Sequence, residues 1–538
     1  MWKKLLITGC VTFSLLSGGT LSAQPSCEIK EEVTSEQLDR TQKELVAMMK
    51  ELKNDSYFQT ELDKAAVQSS LSKRMAAYKD LTVRLLSVLE IQAELEWMKP
   101  EAIQEALGIM KKSSGFDAVL ADKRFGELKS LLAGGFDGIY TGDAQAIDKA
   151  NKTLTLKRKL MLMSPDVNVD KMLTVKFDLG ERANFVGAGS LGIQPNNWSN
   201  LSSASRKNFK AQLVELSGLQ SGELSEKVLY KPAVDGSSVT DLVLNWDGKR
   251  LMFTALDTTR RWQVHELDIN NGEAKQVTNI PEPDLEFFDG TYLPDGRMLA
   301  ISNIGYQGVP CVNGSDAVGN MVLYDPSNGY LRRLTFDQDA NWHPVVMANG
   351  KVMYVRWEYT DLTHYFSRIV MHMNPDGTEQ KSLYGSGSMF PNSIFDVQPL
   401  PKHTNRFVGV ISGHHGVARS GRLMIFDPAK SRKEEKGMIQ ELPFRGRPII
   451  PEVKDELVNG VWPQFIKPYP LTDETFLVTA KLSPYSRWGI YLVDIYDNLT
   501  LVANADDAGM IYSVPVKSTP IPPAIPDRIK PNEKEATV

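Results

Sequence analysis

Between about Ser35 and Met163 apolar residues recur every three to four positions, as in Leu38, Leu45, Met48, Met49 and Leu52, with charged residues between them. That spacing marks one face of an amphipathic helix packed on its neighbours. Breaks at Asn54-Asp55, Lys99-Pro100, Gly134-Gly135 and near Ser164-Pro165 divide the stretch into four or five helices in a small bundle or array. Lys, Glu and Gln dominate the exposed positions, and no histidine occurs, so this half reads as a packing or partner-docking domain without chemistry of its own.

After Val167 the period changes to that of strands, and a repeat emerges. One strand type reads MLTVKF from Met172, RLMFTAL from Arg250, RMLAISN from Arg297, KVMYVRW from Lys351, RFVGVIS from Arg406 and TFLVTAK from Thr475. A second type follows each copy: AQLVELS, WQVHELD, NMVLYDP, SRIVMHMN, GRLMIFDP and WGIYLVDI. A third closes the unit: EKVLYKP, AKQVTNI, LRRLTF, QKSLYG, IQELPF and LTLVAN. Asp247-Gly248, Asp295-Gly296 and Asn349-Gly350 precede the first type, and Asn271-Gly272, Asn328-Gly329 and Asp376-Gly377 follow the second. These are turn pairs that supply positive φ cheaply. A unit of roughly fifty residues with about four strands is a propeller blade, because each unit carries its own meander. The expected fold is therefore mainly β, a six-bladed β-propeller preceded by an α-helical domain. The irregular stretch Glu181 to Asn208 is the place with room for a seventh unit.

The N-terminus changes the picture of where this happens. Lys3 and Lys4 precede an apolar stretch from Leu5 to Leu21, and Leu21-Ser22-Ala23 offers small residues before Gln24. This is a Sec signal peptide cleaved after Ala23, which predicts a periplasmic or secreted protein. Ile7-Thr8-Gly9-Cys10 also fits a lipoprotein box, with only a short apolar stretch before it. The boundaries follow: signal peptide 1–23, helical domain 24–165, propeller 166–510 and Pro-rich tail 511–538. No later window has the length of a membrane-spanning helix. The 42% hydrophobic and 24% charged composition, with a net charge of −5, is globular and lacks the basic excess of a nucleic-acid partner. Cleavage leaves Cys27 and Cys311, too few for a disulfide framework.

Several long motifs carry a resemblance. WDGKRLMF, YLPDGRMLAIS and MNPDGTEQKSLYG look like repeats of TolB-type propellers. The runs IGYQGVPCVNGSD, NWHPVVMANGKVMYVRWEYTDLTH, FPNSIFDVQPLP, GHHGVARSG and WGIYLVDIYDN resemble the propeller and middle region of the hydrazine synthase alpha subunit family, over about Leu156 to Asp527. That resemblance implies an exported redox protein. Longer members attach c-type haem through CxxCH in a module after the propeller, and this sequence has no CxxCH. Either that module was lost or the chain is an incomplete copy, and both predict no covalent haem on this polypeptide.

All seven histidines fall in the propeller half. His265 and His372 lie in strand patterns and read as ordinary half-buried or surface positions, and His403 as a solvated turn residue. His414 and His415 follow an apolar strand where blade loops emerge, His364 lies in the equivalent connection one blade earlier, and Cys311 in the long loop of the blade before that. Thiolate and imidazole from like loops of three successive blades suit Zn²⁺ or a transition metal. The competing reading makes Cys311 a small buried hydrophobe and the two histidines partners of loop backbone. Asp284, Asp289 and Asp361 read mostly as solvated turn residues, and Trp246, Trp262, Trp342, Trp357, Trp462 and Trp488 as packing between blades. GxSxG, Walker and HExxH motifs are absent, which leaves hydrolase and nucleotide chemistry without a foothold. Two functions lead, a scaffold subunit of an exported redox assembly or a TolB-like propeller that binds a protein or glycan and catalyses nothing, and a hydrolase built on a propeller is a third reading without an identifiable nucleophile. Either of the leading two engages protein partners through the helical domain or a propeller face.

Overall fold

The computed structural model describes residues 33–178, 199–204, 206–207, 209–358, 368–413, 419–505, 508–530, 533 and 535, with only the backbone of Cys311. It divides into two compact units, one of residues 1–161 with Leu482–Arg487 and one of the remainder.

Six α-helices build the first unit among the described residues: Ser35–Met49, Ser56–Ala66, Leu71–Glu96, Pro100–Met110, Ala118–Leu132 and Ala144–Met161. That exceeds the four or five expected, because two helix starts are signalled by caps rather than by Gly or Pro. The Ser70 hydroxyl accepts from the Lys73 N–H at 3.2 Å, and the Asp117 carboxylate accepts from the Leu120 N–H at 2.9 Å. Thr34 and Gln37 form a reciprocal capping box at the first helix. The apolar stripe read from the sequence, Leu38, Leu45, Met48, Met49 and Leu52, is buried in this unit's core. Arg487 also belongs to this unit, where Glu90 holds its guanidinium through both carboxylate oxygens, at 2.7 and 2.5 Å.

The second unit is a six-bladed propeller of four antiparallel strands per blade, in which the fourth and fifth blades are joined into one eight-stranded sheet by a single parallel bridge, Arg368 to Ser393. The three strand types of the sequence are the second, third and outermost strands of each blade. The missing type is the innermost: Val239–Leu244, Phe287–Tyr292, Asn341–Val346, Ser393–Pro399 and Gln464–Pro470 in blades 2 to 6. Blade 1 takes its innermost strand from the other end of the chain, Ala508–Pro515 pairing with Lys171–Asp178. The propeller thus runs beyond residue 510. It is closed by one C-terminal strand joined to three N-terminal ones, and the six innermost strands touch one another in an unbroken cycle. No seventh blade occurs among the described residues. The turn glycines adopt the positive φ expected of them, with Gly248, Gly296 and Gly350 at 70°, 92° and 81°.

Apolar packing fills the spaces between blades. Trp262, Trp342, Trp357 and Trp488 are buried there, and the Trp342 and Trp357 rings stack at 6.1 Å. His265 is more buried than a strand surface would make it, stacked on Phe253 at 5.4 Å with its Nδ1 3.0 Å from the Gln263 carbonyl.

Candidate functional site

The innermost strands share a feature that builds a site. In each, the pairing with the second strand slips by one residue, and a non-glycine residue at the slip adopts positive φ. These residues are Tyr512, Asp241, Asp289, His343, Asp396 and Lys467 in blades 1 to 6, with φ of 72°, 56°, 53°, 56°, 49° and 49°. A left-handed L-residue costs about 1–2 kcal/mol, so six in register mark β-bulges that the architecture holds in place. The bulges bring one polar side chain per blade into a ring around the axis.

The ring residues are bonded to each other across blades. The Tyr512 hydroxyl accepts from the Asp241 N–H at 2.8 Å, and Asp241 Oδ2 accepts from the Asp289 N–H at 3.0 Å. Asp289 Oδ2 in turn accepts from the His343 N–H, and Asp396 Oδ2 from the Lys467 N–H at 3.1 Å. Each of these four acceptors satisfies the bulged N–H of the next blade. Where the ring residue is a donor type the scheme changes. After Lys467, the Tyr512 N–H goes to the Thr479 hydroxyl at 3.1 Å. Around His343, the Gln398 amide nitrogen lies 3.3 Å from Nε2, and Nδ1 faces Asp289 Oδ1 at 3.6 Å.

Electrostatics follow from this packing. Lys467 Nζ and Asp396 Oδ1 form an ion pair at 2.7 Å, with side chains 9% and 5% exposed. Burial alone would raise the Asp396 carboxyl, but the Lys467 charge, helped by His343, holds it below the ordinary carboxylate range. Burial opposes the Lys467 charge as well, and Asp396 outweighs it to hold the ammonium above its usual value. Asp241 is pushed upward by burial and by the neighbouring Asp289 charge. Asp289 goes down despite its burial, because His343 bonds and compensates it. Arg419, from the loop after the second strand of blade 5, stacks its guanidinium on Trp342 and Phe395, 5.0 Å from each ring. Burial weakens that charge, and Asp396, Asp289 and Asp241 oppose the loss. Three carboxylates therefore face two fixed cations, and the ring's described partners lie largely within it. It clasps the blades together at the axis.

Sequence reasoning missed this ring. Asp289, read as a solvated turn residue, is half-buried at the axis, whereas Asp284 is exposed as expected. The available signal was a polar residue at the same offset in six otherwise apolar segments: VTDLVL, FFDGTY, NWHPVV, IFDVQP, FIKPYP and MIYSVP.

Of the residues expected to bind metal, His364, His414 and His415 lie outside the described residues, as does Asp361. The backbone of Cys311 sits in the short turn Pro310–Val312. In sequence, the three positions fall in connections between described strands. Each joins the second strand of its blade to the third, after Ser302, Trp357 and Ser412 in blades 3, 4 and 5. Among the described residues no group of three or more His, Cys, Asp or Glu side chains is arranged to hold a metal ion. No described helix is long and apolar enough to cross a membrane.

No family profile and no curated protein matches the chain. Solved structures do. Kuenenia stuttgartiensis hydrazine synthase aligns at 14% identity and TM-score 0.48 over 66% of this chain and 48% of that one. TolB from Acinetobacter baumannii aligns at 10% identity and TM-score 0.40, covering 68% and 72%. Oligogalacturonate lyase from Vibrio parahaemolyticus aligns at 11% identity and TM-score 0.32, covering 61% and 98%. The chain is a propeller with neighbours among TolB-like proteins and enzymes. It spans about half the length of the hydrazine synthase chain.

Proposed function

We propose that this chain is an exported propeller subunit, related to the hydrazine synthase alpha subunit family, that acts as a scaffold in a redox assembly. In this reading it binds Zn²⁺ or a transition metal through Cys311, His364, His414 and His415, and does not make hydrazine by itself. One observation supports the site: the loops bearing these residues are topologically equivalent and belong to three consecutive blades. Equivalent loops of adjacent blades emerge side by side, so a thiolate and imidazoles from them have a route to one ion. Export rests on the signal-like N-terminus, and the absence of covalent haem on the missing CxxCH.

Elemental analysis of protein purified from the periplasm tests the reading. It predicts close to one metal ion per chain, lost in both Cys311→Ser and His414→Ala. A metal content near zero, or one indifferent to both substitutions, overturns it. The axial clasp favours a second reading, a TolB-like propeller that binds a protein or glycan without catalysis, because the ring's polar groups are largely engaged with each other. A colourless, metal-free protein that retains a specific partner would support that alternative.

A further inference from the structure

The segment after the last strand leaves the sheet and runs extended along the propeller. The Val516 N–H donates to the Lys171 carbonyl and the Thr519 N–H to the Trp246 carbonyl, both at 2.9 Å. The path then lies against the hairpins between innermost and second strands. A Cβ on Gly248 would come within 2.7 Å of the Ser518 nitrogen, and one on Gly350 within 2.2 Å of the Pro523 oxygen. At its far end Asp527 takes a two-pronged bond from the Arg297 guanidinium, at 2.8 and 2.7 Å. The Arg528 N–H donates to Asp376 Oδ2 at 2.6 Å, and its side chain pairs with Glu379, which also holds Lys351 at 3.0 Å.

These contacts touch blades 1, 2, 3 and 4. The segment VKSTPIPPAIPDRIK contains four prolines, which favour an extended, pre-organised backbone, and most of its residues are half-buried or exposed. It is anchored at one end by backbone hydrogen bonds and at the other by exposed ion pairs, the pattern of a docked peptide rather than of a packed element.

The geometry points to the hairpin face of blades 2 to 4 as a docking track for an extended proline-rich peptide with a terminal acidic–basic pair, occupied in this protein by its own residues 516–530. The tail is a tethered ligand, held by a high effective concentration and displaceable at its ionic end. This inference is independent of the metal reading.

The probe is a fluorescein-labelled synthetic peptide of residues 516–530, added to the full-length chain. Wild type is expected not to capture it, because the tethered copy competes at a millimolar-scale effective concentration. The full-length variant Asp527→Ala/Arg528→Ala is expected to capture it, with affinity falling about tenfold or more between 50 and 500 mM salt, since an ionic anchor is screened over that range. Adding Arg297→Ala to that variant should abolish capture. Hydrogen exchange reports the tail directly, and the Asn349–Lys351 hairpin should exchange faster in the variant than in wild type. The proposal is overturned if hairpin exchange is unchanged, if the tail is released but no peptide is captured, or if capture is indifferent to Arg297→Ala.

Discussion

Replacing Asp396 by alanine removes two bonds at once. It strands the Lys467 ammonium, which sits 2.7 Å from Asp396 Oδ1 with its side chain 9% exposed, and it frees the bulged Lys467 N–H. Removing one partner of a buried ion pair costs about 3–5 kcal/mol, because the remaining charge stays desolvated. We expect about 4 kcal/mol for Asp396→Ala and about 3 kcal/mol for Lys467→Met, which leaves Asp396 the backbone donor. The double variant should cost less than the sum by about 2 kcal/mol, since neither charge is then left alone. The sign with pH follows from the two shifts. The Asp396 contribution is present above the ordinary carboxylate pKa and is lost as pH falls through its depressed native value. The Lys467 contribution is present below the ordinary lysine pKa and is lost as pH rises through its elevated native value. The pair therefore holds across the neutral range. Urea unfolding followed by tryptophan fluorescence, which arises mainly from the propeller, reads the cost as a shift in midpoint at unchanged slope. Single substitutions each costing under about 1 kcal/mol and adding without coupling would refute the clasp.

Other consequences can be checked separately. Burial pushes the half-buried Glu94 carboxyl up to about 7, against the opposing charges of Arg158, Lys157 and Arg487. The folded helical unit then binds more protons than the unfolded chain between pH 4.5 and 7, so its stability falls as pH rises through that window. Glu94→Gln should remove that fall, a gain of about 2 kcal/mol at pH 8 in urea unfolding followed by far-ultraviolet circular dichroism, and an unaltered pH profile would contradict it. Gly421→Ala would put a methyl group 1.9 Å from the Ile411 carbonyl oxygen in blade 5 and should lower stability by about 3 kcal/mol, with little loss refuting that close approach. Haem-stained denaturing gels should show no band at the mature mass, and N-terminal sequencing of exported protein should begin at Gln24.

Three of the four strand types were legible because they alternate cleanly and are separated by Asp-Gly or Asn-Gly turns whose φ the structure reproduces. The innermost strand was not, for one physical reason. Its bulge breaks the two-residue period and places Asp, His, Lys or Tyr where a core strand should be apolar, so segments such as FFDGTY and NWHPVV lack the alternation that marks the other three types. The closing strand Ala508–Pro515 escaped for another: its partner lies more than three hundred residues away, where local pattern carries no information. In the helical unit the apolar stripe of Leu38 to Leu52 was readable directly, while the breaks at Ser70 and Asp117 depend on capping bonds that a single Ser or Asp announces weakly. Asp289 shows the limit for site residues. Its role comes from the neighbouring blade's His343, not from its own sequence neighbours.

The functional reading rests on whether Cys311 and the histidines of the next two blades converge. Anomalous diffraction at the zinc edge from crystals of the exported protein addresses that most directly. The account predicts one peak, with the Cys311 sulfur and imidazole nitrogens of His364 and of His414 or His415 at about 2.0 to 2.3 Å. Absence of a peak, with those ligand atoms more than about 6 Å apart, would contradict it, since two ligands on one ion lie within about twice a bond length.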